Sequence, residues 1–571
     1  MINTQEAIRS KYPKVNSIPK PISKYLFNII EKVIHQNDIN YFLEENKNLG
    51  PFSFVERVLE YFEFSYKFNK KEIENIPTSG KVVIIANHPL GALDAMSLID
   101  LVHSVRNDIK VVANDVLSSV EQLKPILIGV DSFGSSLSKN SVKEIHKALN
   151  NNEAVIIFPS GEVSRARTNG IKDVKWHKGF LKFATDNCAP ILPIYIKAKN
   201  SALFYTLSSI NKSISTFLLP HEMFKQKNGS LEFRIGEIIP YKNYSKIKLD
   251  TKTTVKLFRK HLYKIAKGKK GIFETEKSIA HPEDRQKLKK ELLNTKLLGT
   301  TNDNKKIYLY EYEKGSVILK EIARLRELTF RKVEEGTGTK RDKDNYDYYY
   351  KHIILWDDND LEIVGAYRIG ESNYIQPQFG FNGFYTNSLF NFKDEFKEYL
   401  FNSIELGRSF VQPKYWGSRA LDYLWQGIGA YLYNNPNIKY MFGPVSLSSG
   451  MPKEALNLIV YYYNLYYKCN KELVIPKRAF KISKQEEIEL SKLFSGENAR
   501  EDLITLKSRL SYYNTSIPTL YKQYTELCED GGVKFLDFNI DKDFNDCIDG
   551  FIMVDIEKIK PKKAQRYIKG I

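Results

Sequence analysis

The chain has 571 residues, is 42% hydrophobic and 27% charged, and sets 86 Lys+Arg against 68 Asp+Glu for a net charge of +18. That apolar content excludes a disordered chain, and the length exceeds one ordinary domain, so two or three are expected. The cationic balance attracts anionic partners (nucleic acid, acidic lipid headgroups or an acidic protein) without choosing among them.

Taken in chain order, Met1 to Glu6 lack a basic segment followed by an apolar one, so no signal peptide is expected. No run of about 18 apolar residues predicts a membrane-spanning helix. Residues 17–75 alternate amphipathic helical patterns with polar breaks. Tyr25, Leu26, Ile29, Ile30 and Val33 recur at helical spacing, which fits a helix packed on a core or, alternatively, one docked on a membrane surface. From residue 81 the pattern becomes strand, loop, helix, repeated. Lys81–Ala86, Val111–Ala113, Ala154–Phe158 and Ile191–Ile196 are short apolar runs suited to buried strands, with helical stretches such as Ser141–Leu149 between them. Such alternation indicates an α/β domain with a largely parallel sheet. Lys256, Arg259, Lys260, Lys264, Lys267, Lys269 and Lys270 form a basic stretch, either a solvated helix face or a contact for anionic lipid.

A polar, turn-rich segment over 270–305 puts a boundary near 285, giving helices over 1–75 and domains over 76–285 and 286–571. The second domain is again α/β. Ile307–Tyr312 reads as a strand, and Ile318, Leu319, Ile322, Leu325 and Leu328 as a helix stripe. After a charged loop over 334–345 come strands His352–Trp356, Glu362–Arg368 and Glu405–Val411, helix Arg419–Tyr433 and strand Tyr440–Val445. Cys188, Cys469, Cys528 and Cys547 are scattered, with no CxxC pair. That argues for a reducing compartment and against a disulfide framework or a zinc-thiolate site.

Three blocks carry chemistry in the first domain. Asn87-His-Pro-Leu-Gly-Ala-Leu-Asp94 follows a buried strand, where a histidine with a carboxylate on one ring nitrogen can take a proton from a hydroxyl on the other. A structural histidine is the competing reading. Phe158-Pro-Ser-Gly-Glu-Val-Ser-Arg165 follows another strand; Gly161 permits a tight turn beside Glu162, and Arg165 can hold an anionic acceptor. Ala189-Pro-Ile-Leu-Pro-Ile194 is the third. In this order and spacing the blocks resemble the PlsC-like lysophospholipid acyltransferases over roughly 65–240. The resemblance makes His88 the base that activates an acceptor hydroxyl and Asp94 its orienting partner. Five residues rather than four separate the two, and Val163 stands where the family's phosphate-binding arginine is usual. This version looks like the subgroup labelled as hemolysins, which includes O-acyltransferases of amino-acid lipids.

In the second domain Arg324-Leu-Arg-Glu-Leu-Thr-Phe-Arg331, Arg341-Asp-Lys-Asp-Asn-Tyr-Asp347, Glu362-Ile-Val-Gly-Ala-Tyr-Arg368 and Glu405-Leu-Gly-Arg-Ser-Phe-Val411 mix both charge signs with apolar strand residues, as in a lined cleft. This set resembles the GNAT-like ornithine lipid N-acyltransferases and autoinducer synthases over about 305–450. The resemblance implies that Arg326, Asp342, Asp344, Arg368, Glu405 and Arg408 line the cleft, with arginines on the acceptor's carboxylate and Glu405 acting on its amine. Glu405 and Arg408 stand at i, i+3 on one strand, so facing one cleft requires a bulge or splay. The loop Gln412-Pro-Lys-Tyr-Trp-Gly-Ser-Arg-Ala420 has one glycine, few free amides for a pyrophosphate, and Lys414 and Arg419 for a single phosphate.

The two resemblances together imply a bifunctional enzyme like the ornithine lipid synthases, with a PlsC-like domain of mixed sheet and flanking helices before a GNAT-like α/β domain. The second domain would N-acylate an amino acid, ornithine or glycine, with a 3-hydroxyacyl group from acyl carrier protein. The first would O-acylate the hydroxyl of the resulting lyso-lipid. Such an enzyme implies no bound cofactor or metal, a cytoplasmic place on the inner face of an anionic membrane, and no nucleic-acid partner. A lysophosphatidate acyltransferase is the alternative within enzymes. A secreted lytic protein would need export and pore segments, which are missing, and no nucleic-acid motif is recognisable.

Overall fold

A run such as Lys81-Val-Val-Ile-Ile-Ala86 carries apolar side chains on both faces of an extended backbone, so it is stable only where both faces are covered. The computed structural model describes Gln5, Arg9 and residues 20–114, 120–130, 138–167, 170–210 and 218–568. The start of the helical region expected from residue 17 lies outside them. The chain divides into two units, Met1–His281 and Pro282–Ile571.

The first unit begins with α1 (Lys20–Val33) and α2 (Pro51–Tyr61). Its strands are β1 (Ser65–Lys67), β2 (Val82–Ala86), β3 (Ile109–Asn114), β4 (Leu127–Val130), β5 (Ala154–Ile157), a small β6–β7 hairpin (Arg165–Arg167 and Gly170–Lys172), β8 (Ile191–Lys197) and β9 (Ser230–Ile235). Seven of them form one mixed sheet in the order β1-β9-β8-β2-β5-β3-β4. Neighbours run parallel except β8 and β9. Side chains alternate as an extended backbone demands. Val82, Ile84 and Ala86 join a core layer with α2 and α3 (Ala92–His103). Val83 and Ile85 join the opposite layer with α4 (Lys139–Asn150), α5 (Gly179–Asp186) and α6 (Thr251–Ile265). Ile85 sits level with Ile157 and Pro193, so β2 and β5 end together, and the blocks after them meet outside the carboxyl ends of the strands.

The α1 stripe is only partly packed, with Ile30 and Val33 half-buried. Tyr25, Leu26 and Ile29 are 68%, 42% and 44% exposed, while Phe27 on another face is buried. The apolar periodicity seen in the sequence therefore straddles the exposed face of this helix and its half-buried flank.

The second unit contains α7 (Val317–Lys332) and α8 (Ala420–Tyr433). Its strands are β10 (Lys296–Thr300), β11 (Lys306–Tyr310), β12 (Lys351–Asp357), β13 (Glu362–Glu371), β14 (Phe390–Phe392), β15 (Ser403–Val411), β16 (Tyr440–Leu447), β17 (Val474–Pro476), β18 (Val533–Asp541) and β19 (Cys547–Asp555). Eight form a sheet in the order β10-β11-β12-β13-β15-β16-β19-β18, and β14 and β17 make a separate ribbon. α7 packs on one face with Ile354 and Ala366, and α8 on the other with Ile353 and Val364. Every sheet pair is antiparallel except β15 with β16, the pair joined through α8, as a parallel crossover requires.

Two irregularities in β15 open the sheet. Its pairing with β16 ends at Glu405 opposite Phe442, after which the strands part. At that point Gly443 meets the Leu406 carbonyl so closely that an added Cβ would lie 2.0 Å from its oxygen. Against β13, Ala366 pairs with Phe410 and Arg368 with Gly407, leaving Arg408 and Ser409 opposite Tyr367 alone. This is the bulge that the Glu405 and Arg408 spacing demanded, and Arg408 takes φ +50° in it.

Candidate active sites

In the first unit, His88 follows β2 directly and Asp94 lies in the first turn of α3. His88 Nδ1 is 3.0 Å from Asp94 Oδ1, and the Leu90 amide donates to Asp94 Oδ2 at 2.7 Å. The turn passes through Gly91 at φ +109°, where any side chain would strain the backbone. This turn brings the two groups together although five residues separate them. The Asp94 side chain is fully buried and the histidine's is 19% exposed. Burial of the ring opposes protonation, but the Asp94 carboxylate, with a further contribution from Asp173, outweighs it and raises the His88 pKa.

The second block wraps around this pair. Gly161 takes φ +64°, and its amide donates to the Phe158 carbonyl. The Ser164 amide donates to the His88 carbonyl at 2.7 Å. Arg165 is buried and donates to Glu162 at 3.3 Å and to Ser208, with its guanidinium over Phe204. Val163 packs with Phe204 and Tyr205 in a small apolar cluster.

Asp173 is a residue the motif reading missed. It is fully buried, accepts from Ser164 Oγ at 2.6 Å, Trp176 Nε1 at 2.8 Å and the His88 amide at 3.2 Å, and so clamps the backbone that carries the base. Arg259 of the basic stretch donates to its carbonyl, which removes that arginine from the solvated face of α6. No spacing rule points to Asp173, because its partners come from four separate elements.

In the second unit three arginines and three aspartates interlock. Arg326 on α7 donates to both oxygens of Asp347 at 2.9 and 2.6 Å, and its Nε lies 3.7 Å from Asp342. Arg368 on β13 donates to Asp344 at 2.7 Å and Asp347 at 3.1 Å. Arg408 lies 3.5 Å from Asp342 and donates to Asp344 at 3.4 Å, with its guanidinium 4.1 Å from the Phe544 ring and 4.6 Å from that of Tyr385. Burial alone would raise the Asp347 carboxyl, but Arg326 and Arg368 outweigh it and hold it well below the usual range. Burial lowers the neighbouring His352 to about 3, so it adds no positive charge at neutral pH.

A cleft of about 920 Å³ opens where β15 and β16 part, and residues 406–411 and 444–446 line it. Of the six cleft residues expected from the sequence, only Arg408 reaches this lining. Arg326 and Arg368 are 0% and 1% exposed and serve as supports behind it. Glu405 is likewise displaced from its expected position. It is buried, with the Thr386 amide and hydroxyl on one oxygen and the Tyr350 hydroxyl and Tyr385 amide on the other. Its carboxylate is thus spent on fixing residues 385–386. Burial raises its pKa against those hydrogen bonds. Arg419 lines the cleft, close to Asp422 and over Tyr423. Lys414 pairs instead with Asp360 at 2.8 Å and Glu362 at 3.1 Å, outside the cleft lining.

Residues 9–269 match an acyltransferase family model, and residues 325–426 match an acetyltransferase (GNAT) domain model. A glycine N(alpha)-acyltransferase of Bacteroides thetaiotaomicron is 32% identical over 304 residues, covering 51% of this chain and 89% of the relative. The chain belongs to the acyltransferases of aminolipid synthesis. A lyso-glycine lipid O-acyltransferase of the same organism is 29% identical over 255 residues, covering 43% of this chain and 92% of the relative. An L-ornithine N(alpha)-acyltransferase of Rhizobium meliloti is 33% identical over 138 residues, covering 23% of this chain and 45% of the relative. The aminolipid acyltransferase is thus a mixed α/β protein in which a PlsC-like acyltransferase domain precedes a GNAT domain.

Sequence reasoning quoted Asp347 within its motif but passed over it as a site residue. The capping pattern of Asp344 with Asp347 three residues on was the available signal. Glu335, Asp541 and Asp549, which also line the cleft, lie outside any quoted motif, and the two aspartates lie beyond the span of the GNAT match.

Proposed function

We propose that this aminolipid acyltransferase makes a diacylated glycine lipid in two steps. The GNAT domain transfers a 3-hydroxyacyl group from acyl carrier protein to the α-amine of glycine, and the PlsC-like domain then acylates the 3-hydroxyl of the lyso-lipid. The observation that carries this reading is that one chain matches, nearly end to end, both a glycine N-acyltransferase and a lyso-glycine lipid O-acyltransferase.

The His88 geometry supports the O-acylation step. With Asp94 at Nδ1, the other ring nitrogen is left for the acceptor. It takes the hydroxyl proton as the oxygen attacks the thioester carbonyl; the C–S bond breaks and the proton passes to the departing thiolate. Val163, packed in an apolar cluster where the family's phosphate-binding arginine is usual, disfavours a lysophosphatidate acceptor and leaves room for a lyso-lipid that carries a single carboxylate. Arg419, in the cleft lining beside a loop with a single glycine, suits the lone phosphate and the acidic surface of a carrier protein better than a pyrophosphate, whereas Lys414 would have to leave Asp360 and Glu362 to join it. The exposed Tyr25, Leu26 and Ile29 stripe, together with the Lys-rich end of α6, supports peripheral attachment to an anionic inner membrane face.

Expression in a host without aminolipids, followed by lipid mass spectrometry, tests the reading. A diacylated glycine lipid is expected. An ornithine lipid would move the acceptor assignment, and a host lipid profile left unchanged would end the proposal.

A further inference from the structure

Of the three arginines that line the cleft, Arg419 and Arg566 pair with Asp422, which leaves Arg408 for the remaining carboxylates. Arg408 already faces Asp342 and Asp344 at 3.5 and 3.4 Å. Three further carboxylates, Glu335 beyond α7, Asp541 at the end of β18 and Asp549 on β19, line the same cleft. They lie near enough to one another that Asp541 and Glu335 both disfavour ionisation of Asp549.

Among the described residues each of the three has only neutral hydrogen-bond donors, while Arg408 favours ionisation of Asp541 and Asp549 through space. Glu335 accepts from Ser446 Oγ at 3.0 Å. Asp541 accepts from the Tyr385 hydroxyl at 3.3 Å and the Asp543 amide at 2.9 Å. Asp549 is 5% exposed and faces the cleft, and its hydrogen-bond donor among the described residues is the Cys547 thiol at 4.0 Å. A carboxylate buried this deeply normally has a hydrogen-bonding or ionic partner, because leaving it bare costs several kcal/mol. A cation that enters through the cleft would supply this partner, as protonation does in its absence.

We propose that Glu335, Asp541 and Asp549 form the ammonium subsite for the amino-acid acceptor, beside Arg408, which takes the acceptor's carboxylate. This rests on the N-acylation reading above and supplies the amine-facing group that Glu405 does not. A zwitterion fits such a pair of sites, one acidic and one basic, within a single cleft. A carboxylate of the cluster takes one proton from the ammonium. The freed nitrogen lone pair attacks the thioester carbonyl, the N–C bond forms and the C–S bond breaks, and the second proton leaves with the thiolate as thiol. The proton held by the cluster returns to solvent. Burial lifts Glu335 to about 7, despite the Ser446 hydrogen bond, which suits a group that accepts and releases a proton near neutrality.

The test uses the full chain and two readouts, calorimetric binding of glycine and N-acylation turnover. Glycolate, which keeps the carboxylate and lacks the ammonium, serves as the control ligand. Asp549→Asn and Glu335→Gln are each expected to weaken glycine binding about tenfold or more while changing glycolate binding less than twofold, with an unchanged or raised melting temperature. The rise in melting temperature would follow from relief of like-charge repulsion. A variant that binds glycine as well as wild type, or that loses glycine and glycolate equally, overturns the subsite. Wild-type protein that binds glycine with this discrimination but does not acylate it upholds the subsite while ending the functional reading. Wild-type protein that binds glycine no better than glycolate overturns the subsite even if lipid synthesis stands. Should Asp549→Asn fail to fold, Asp541→Asn and Glu335→Gln carry the same comparison.

Discussion

The two units place their charged groups in opposite ways. Around His88 the ionisable groups are few and local. One histidine and one carboxylate from the same turn are in contact, and Asp173 braces them from behind. Around Arg408 three arginines meet three aspartates drawn from α7, two strands and the loop between α7 and β12, most of them fully buried. A single base on an open strand end can be lost without unfolding the domain. A buried network cannot lose a member without stranding its partner's charge. The first arrangement therefore concentrates function in one residue, and the second makes function and stability hard to separate.

Removing the single base should give the largest effect. His88→Ala is expected to lower O-acylation by about 10²–10⁴, with the monoacyl lipid accumulating. Lipid mass spectrometry reads this directly, and normal diacyl lipid would show that His88 is structural. On the other side of the comparison, Asp347→Ala leaves Arg326 and Arg368 buried without their shared partner. A loss of about 3–5 kcal/mol is expected in denaturant unfolding, since a broken buried ion pair leaves an uncompensated charge. The depressed Asp347 pKa also fixes the sign with pH. Its contribution is full above the ordinary carboxylate pKa and is lost as pH falls through the native value, so the gap between variant and wild type should narrow in acid.

Arg408→Lys keeps the charge but not the planar fork. It should raise the glycine KM by roughly tenfold to a hundredfold, the equivalent of one charge-assisted hydrogen bond of about 1.5–3 kcal/mol. An unchanged KM would put the acceptor elsewhere in the cleft. Asp94→Asn sharpens the first site. His88 is raised by its carboxylate neighbours, and only the neutral ring accepts a proton, so O-acylation should fall as pH drops through that raised value. With Asp94 neutralised, the acid limb should move to lower pH and the rate at the plateau should drop. The smallest effect concerns the donor. Arg419→Glu should raise the apparent KM for acyl carrier protein a few-fold, and added salt should do the same, because screening over about 8 Å at 0.15 M weakens exposed charge pairs. Equal activity with acyl-coenzyme A, insensitive to salt, would contradict this choice of donor.

Local patterns carried much of this in the sequence. The apolar runs at Val82–Ala86, Ala154–Ile157 and Ile191–Lys197 announced buried strands, because such a strand is stable only where both faces are covered. His88 and Asp94 were legible because one turn connects them. The Glu405 and Arg408 spacing even required a bulge, and β15 has one. The same spacing could not tell which side chain the bulge would deliver to the cleft, since one inserted residue exchanges the faces of everything beyond it.

By itself, then, the sequence determined the two α/β units, the strand-end position of the base and the charge content of the second site. These follow from apolar periodicity and from contacts within a few residues. Only the tertiary structure decided that Asp347 joins Arg326 to Arg368, that Glu405 braces residues 385–386, and that Glu335, Asp541 and Asp549 converge on the cleft. Each of those contacts is made between elements distant along the chain, and their meeting depends on sheet order and on where β15 and β16 part, which no local pattern encodes.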